Sequence, residues 1–152
     1  MEMRRKDLQT SEEEAREFLA RGEYGVLSTV GPDGEPYGVP LSYVYREGEI
    51  YFHSAPEGRK VDHLHAGAKA SFCVVGATEV LPAKFSVRYE SAIAFGEVRE
   101  LEGNEMKQAL AWLIEKYFPE FRKEGETCVE NSGGRTRVFG LRVCELTGKR
   151  GR

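Results

Sequence analysis

The stretch Ile50-Tyr-Phe-His-Ser-Ala-Pro-Glu-Gly-Arg-Lys-Val-Asp62 carries the most chemistry in this chain: a short apolar strand, a histidine near its end, then glycine beside two adjacent cations. Gly58 admits a backbone conformation that other residues disfavour, which lets amide N–H groups and the side chains of Arg59 and Lys60 converge on one anion. The first turn of a helix ordinarily prefers carboxylates, so two cations there need an anion to hold them; a solvated helix end is the plain alternative. Phosphate is the expected anion, and a phosphorylated cofactor its expected source. His53, with an unperturbed pKa of about 6.5, suits proton exchange or donation to a ligand, against the plain reading of a half-buried histidine satisfied by backbone.

Other clusters carry less. Asp62, His63 and His65 look like a metal set, but residues two apart on a helix point to different sides, and no further cysteine or histidine completes a shell. No metal is expected. Cys73, Cys128 and Cys144 are odd in number and lack a C-x-x-C spacing, which reads as reduced packing thiols. There is no Ser-His-Asp order, Walker loop or paired-carboxylate motif. The demanding chemistry would therefore belong to a cofactor, with the protein orienting reactants and excluding water.

At 152 residues the chain is expected to form a single domain, residues 1–152. Its 25 acidic and 22 basic residues leave a formal charge of −3 without a continuous basic run, which argues against nucleic acid or an anionic membrane surface as partner. No apolar run approaches the roughly 20 residues of a membrane span, and no signal-peptide core is visible. A cytoplasmic location is expected.

Periodicity supplies the scaffold for these residues. Thr10 to Arg21 reads as a helix opened by a capping box, Thr10 with Glu13 or Ser11 with Glu14. Strands are expected from Tyr24 to Val30 and from Glu35 to Tyr45, joined by the turn Gly31-Pro32-Asp33-Gly34, with Pro36 and Pro40 marking irregular pairing. Glu47-Gly48 turns the chain into a third strand, Glu49 to Ser54, as in a meander closing into a barrel. A short helix from Lys60 to Ala66 follows, then strands from Ala70 to Val75 and from Phe85 to Leu101, the latter so long that it must bend, at Gly96. Met106, Ala109, Leu110, Leu113, Ile114 and Tyr117 recur at helical spacing, a further helix is expected from Pro119 to Glu130, and Arg137 to Leu146 reads as a last strand covered on both faces. The sum is one α+β domain of about six strands built on a β-barrel.

Laid out in this order, the chain resembles the pyridoxamine-phosphate-oxidase-like split barrels that bind FMN, and within them the nitroimidazole-resistance (Nim) branch. The likeness covers nearly the whole chain and is carried by Gly25-Val-Leu-Ser-Thr29, Pro36-Tyr-Gly-Val-Pro-Leu-Ser-Tyr43, Tyr51-Phe-His-Ser-Ala55 with Gly58-Arg-Lys60, Arg88-Tyr-Glu-Ser91 with Phe95-Gly96, and Leu146-Thr-Gly-Lys149. The resemblance implies a six-stranded antiparallel split β-barrel with flanking helices, assembled as a homodimer with FMN sites shared at its interface. It implies that Arg59 and Lys60 grip the FMN phosphate, that His53 and Ser54 reach the ribityl chain or flavin edge, and that the backbone of Val39, Pro40, Leu41 and Ser42 lines the isoalloxazine. Arg88 and Tyr89 would complete the pocket from the partner. The activity implied is hydride transfer from reduced FMN, itself reduced by NAD(P)H, to a small acceptor such as a nitroaromatic. Relatives of this fold also bind haem or a deazaflavin, so a non-catalytic flavin or haem binder, with His53 or His63 on iron, is the alternative.

Overall fold

The computed structural model describes residues 2–132 and 136–151. Helix α1 (Glu12–Arg21) starts where the sequence places a cap: the Ser11 hydroxyl accepts from the Glu14 amide, and Ala15, Phe18 and Leu19 form the buried stripe. Two hairpins follow, β1 (Gly25–Val30) with β2 (Pro36–Leu41), and β3 (Val44–Arg46) with β4 (Glu49–Ser54). Their turns use Gly34 and Gly48 at positive φ, the conformation that favours glycine. The chain continues through α2 (Arg59–His63), β5 (Lys69–Leu81), β6 (Ser86–Leu101), α3 (Gly103–Tyr117), α4 (Arg122–Ser132) and β7 (Arg137–Gly151).

All strands join one antiparallel sheet in the order β2-β1-β5-β6-β7-β4-β3. Three expectations are corrected here. Among the described residues there are seven strands rather than six, because the run expected as one strand from Glu35 to Tyr45 breaks into β2 and β3. The break sits at Ser42 and Tyr43, where the backbone bonds to a helix: the Tyr43 amide donates to the Tyr117 hydroxyl, and its carbonyl accepts from the Lys116 ammonium and the Tyr117 hydroxyl. Tyr43 itself is fully buried, with its hydroxyl donating to the Leu19 carbonyl. The second correction follows, since β2 and β3 lie on opposite edges and the first strands do not run on as a meander. Third, the sheet is open, with those two strands as its edges.

An open sheet still makes one core because it curls. Leu27 of β1, Phe72 and Val74 of β5, Ala92 and Ala94 of β6, Phe139 and Leu141 of β7, and Ile50 and Phe52 of β4 share one buried cluster, with Phe18 and Leu19 of α1. Where a bend is expected, the β6–β7 register shifts between Phe95 and Gly96, with Cys144 of β7 as the extra residue. A second cluster lies on the opposite face, where Val44, Tyr51, Leu101 and Val138 pack against Ala109, Leu110 and Leu113 of α3. Trp112 anchors this layer, its ring 5.4 Å from that of Tyr51.

Several ends move. β5 runs to Leu81 and β7 to Gly151, both beyond the expected limits, while α2 is shorter than expected. β7 is buried on both faces only from Val138 to Leu141. The cysteines are not all packing residues, for Cys128 and Cys144 are exposed and only Cys73 is partly covered. No helix among the described residues is long and apolar enough to cross a membrane.

Candidate functional site

Strand alternation decides which way each β4 residue faces. Ile50, Phe52 and Ser54 turn to the main core side, while Glu49, Tyr51 and His53 turn to the layer under α3. Glu49 is buried there but satisfied, bound by both guanidinium branches of Arg99 at 2.7 and 2.9 Å and by the Tyr51 hydroxyl at 3.1 Å. His53 comes last on this face and stays exposed. Burial in its surroundings and the positive charge of Lys60 both push its pKa below the ordinary value, so the imidazole is neutral near pH 7. It therefore offers one N–H and one lone pair rather than a charge.

Beyond Ser54 the chain turns through Gly58, whose φ is +140° and whose α-carbon faces open space, into α2. No side chain caps this helix. The Arg59 guanidinium lies 5.6 Å from the centre of the Tyr37 ring, which orients it, and the side chain is exposed. Lys60 is half-buried, and burial pushes its ammonium pKa down. Among the described residues neither cation has a carboxylate partner. A desolvated ammonium beside an oriented guanidinium and an open glycine fits an anion of the size and charge of a phosphate monoester.

The remaining expected residues divide. Ser54 is buried, and its hydroxyl donates to the Ala55 carbonyl, so its oxygen is left to accept. Val39 and Leu41 pack partly on the core, with Pro40 and Ser42 exposed between and beyond them. Arg88 and Tyr89 do not join this cluster within one chain. Val138 pairs with both His53 and Leu101, whereas Tyr89 lies twelve residues further along β6, roughly 40 Å of strand, opposite Gly151. There Arg88 pairs with Glu79 at 3.2 Å.

His63 is only 4% exposed, with its Nδ1 2.8 Å from the Thr29 hydroxyl and its Nε2 3.6 Å from Glu35. Those contacts make it a structural link between α2 and the first hairpin. His65 is exposed and contacts the Ala66 carbonyl, and no group of three potential metal ligands converges among the described residues.

Sequence reasoning missed two features. One is Tyr37 as the shelf for Arg59, for which a strand tyrosine gives no separate signal. The other is a cavity of about 420 Å³ between α3, α4 and the end of β4, lined by Ser42, His53, Leu113, Ile114, Phe118 and Cys128 among others. Its apolar walls carry the same helical spacing as core, and only the tertiary placement of α4 shows that they border a cleft.

Comparison with known proteins supports the fold. No curated protein matches the sequence. Among solved structures, a candidate 5-nitroimidazole antibiotic resistance protein from Bacteroides thetaiotaomicron is 21% identical with a TM-score of 0.74, over 95% of this chain and 86% of that one. A FAD and heme binding protein from Mycobacterium smegmatis is also 21% identical, with a TM-score of 0.81 over 93% of this chain and 72% of that one. A FAD binding protein from the same organism is 17% identical, with a TM-score of 0.67 over 95% and 98% of the two chains. The sequence profile described as pyridoxamine 5'-phosphate oxidase matches residues 11–150, and with that match the chain belongs to this family.

Proposed function

We propose that the chain is an FMN-binding flavoprotein and an oxidoreductase, taking reducing equivalents from NAD(P)H and passing hydride to a small acceptor such as a nitroaromatic. The observation that carries this reading is Lys60, a partly desolvated ammonium without a carboxylate, next to Arg59 and the open Gly58. Membership of the pyridoxamine 5'-phosphate oxidase family supports it, as does the shared fold of FAD-binding proteins. A terminal phosphate monoester is what distinguishes FMN among the flavins, and two cations at one turn match its charge.

A flavin held here would supply hydride-transfer chemistry. The chain's own part is to bind and orient. Arg59 and Lys60 hold the phosphate, and Gly58 lets the backbone approach closely, since a Cβ there would be strained at its φ of +140°. The backbone from Val39 to Ser42 lines the ring, and His53, neutral at pH 7, donates a hydrogen bond rather than a charge. We further propose a homodimer in which each site is shared, with Arg88 and Tyr89 arriving from the second copy; within one chain they lie too far along β6 to take part.

The test is a titration of FMN into ligand-free protein, followed by flavin fluorescence and visible absorption, then NADPH oxidation with a nitroaromatic present. Saturable uptake with two flavin bands, and oxidation that depends on the acceptor, are expected. No uptake of flavin ends the reading, and a Soret band in protein as purified points to the haem-binding alternative.

A further inference from the structure

We propose that the space between α3, α4 and the end of β4 is a chamber for a neutral, flat aromatic carbonyl compound, its oxygen bonded by His53 and Ser42. At about 420 Å³ it falls in the size range of small-molecule sites, roughly 300–1,000 Å³.

The walls state the chemistry of that occupant. Leu110, Leu113, Ile114 and Phe118 make the sides apolar, and among the described residues no lysine or arginine lines the space to pair with a desolvated charge. Tyr117 also lines it, but its hydroxyl is engaged by the Glu23 and Tyr43 carbonyls at 2.6 and 3.0 Å. Two polar side chains at the rim are different. Among the described residues, neither the His53 ring nor the Ser42 hydroxyl has a hydrogen-bond partner within the chain. Each has one hydrogen to donate, and two such donors suit one neutral carbonyl oxygen at the polar end of an otherwise apolar slot. His53 leans on the same corner as Lys60, whose charge reaches its ring, so the polar end of the chamber adjoins the phosphate cradle. As the acceptor site of a flavin reaction the chamber rests on the flavoprotein reading; as a binding site it stands on its own geometry.

Cys128 lines the chamber and is exposed, which gives a handle on occupancy that needs no flavin. The probe is 2-acetylnaphthalene, the reagent iodoacetamide, and the readout the alkylation rate of Cys128 by peptide mass spectrometry, with exposed Cys144 on β7 as internal reference. Saturable, several-fold slowing at Cys128 with Cys144 unchanged is expected. 2-Ethylnaphthalene, of like shape but without the oxygen, should bind about tenfold more weakly, the value of roughly one hydrogen bond. Replacing both donors, His53→Leu with Ser42→Ala, should erase that difference. Absence of protection, equal slowing of both cysteines, equal binding of the two naphthalenes, or the same protection by FMN alone would each overturn the chamber. Protection in a protein that takes up no FMN would support the chamber and remove the flavin reading instead.

Discussion

A lysine that is partly desolvated and without a carboxylate is costly unless something anionic visits it, and Lys60 is such a residue. Lys60→Ala should weaken FMN binding by about 1.5–3 kcal/mol, roughly 10- to 150-fold, the worth of one charge-assisted hydrogen bond. A flavin fluorescence titration measures it, and unchanged affinity would remove the cradle. The motif itself was legible in sequence, because glycine beside adjacent cations is a local pattern that needs no tertiary information. The histidines were less so. His53 and His63 are of one residue type, yet one ends a strand on an exposed face and the other is enclosed by Thr29, Glu35 and the Tyr37 ring. Only the packing of α2 on the first hairpin tells them apart.

At the level of elements, Gly96 sits where the β6–β7 register shifts. A Cβ there would run into the Arg142 carbonyl oxygen, a backbone atom that cannot swing aside as a side chain can. Gly96→Ala should cost about 3 kcal/mol in chemical denaturation, at the upper end of overpacking effects; a loss below about 0.5 kcal/mol would mean the crossing relaxes freely. An irregularity near Gly96 was predictable from strand length and glycine together, and so were both hairpins from their turn chemistry. What turn chemistry does not show is the break at Tyr43, whose backbone partners lie in α3, far along the chain. Lys116 makes part of that link, its ammonium 2.7 Å from the Tyr43 carbonyl and 3.9 Å from the ring centre, and burial lowers its pKa to about 8 from 10.5. Between those two values the unfolded chain holds the proton and the folded chain has released it, so stability rises with pH across that window. The raised pKa of buried Tyr43 works the other way, and only above about pH 10, where free tyrosines ionise. Lys116→Met should therefore flatten the rise in urea midpoint between about pH 8 and pH 10; an identical slope in both proteins would show that Lys116 keeps its proton on folding.

The whole molecule leaves part of the outer face of its curled sheet, away from α3, uncovered. On the side away from the core, Val30 of β1, Val75 of β5, and Ile93 and Phe95 of β6 are 59%, 56%, 38% and 45% exposed. The register brings them together, since Ser71 pairs with Ser28 and Phe95, and Cys73 with Val26 and Ile93. Single exposed apolar residues are ordinary, but a grouped set on adjacent strands is a common mark of an interface. Alternation along each strand was readable in the sequence, whereas curvature was not, and curvature decides that α1 covers one side while this side stays bare. The proposed second copy would cover it, since a two-fold axis through the patch would pair it with itself. Phe95→Glu places two carboxylates in that contact for every dimer. The wild-type chain should sediment as a dimer and the variant as a monomer with an unchanged far-ultraviolet spectrum, and FMN affinity should fall with the monomer if each site borrows Arg88 and Tyr89 from the neighbour. A monomeric variant that keeps full affinity for FMN would confine the flavin to one chain, and a wild-type monomer that binds it would remove the shared site altogether.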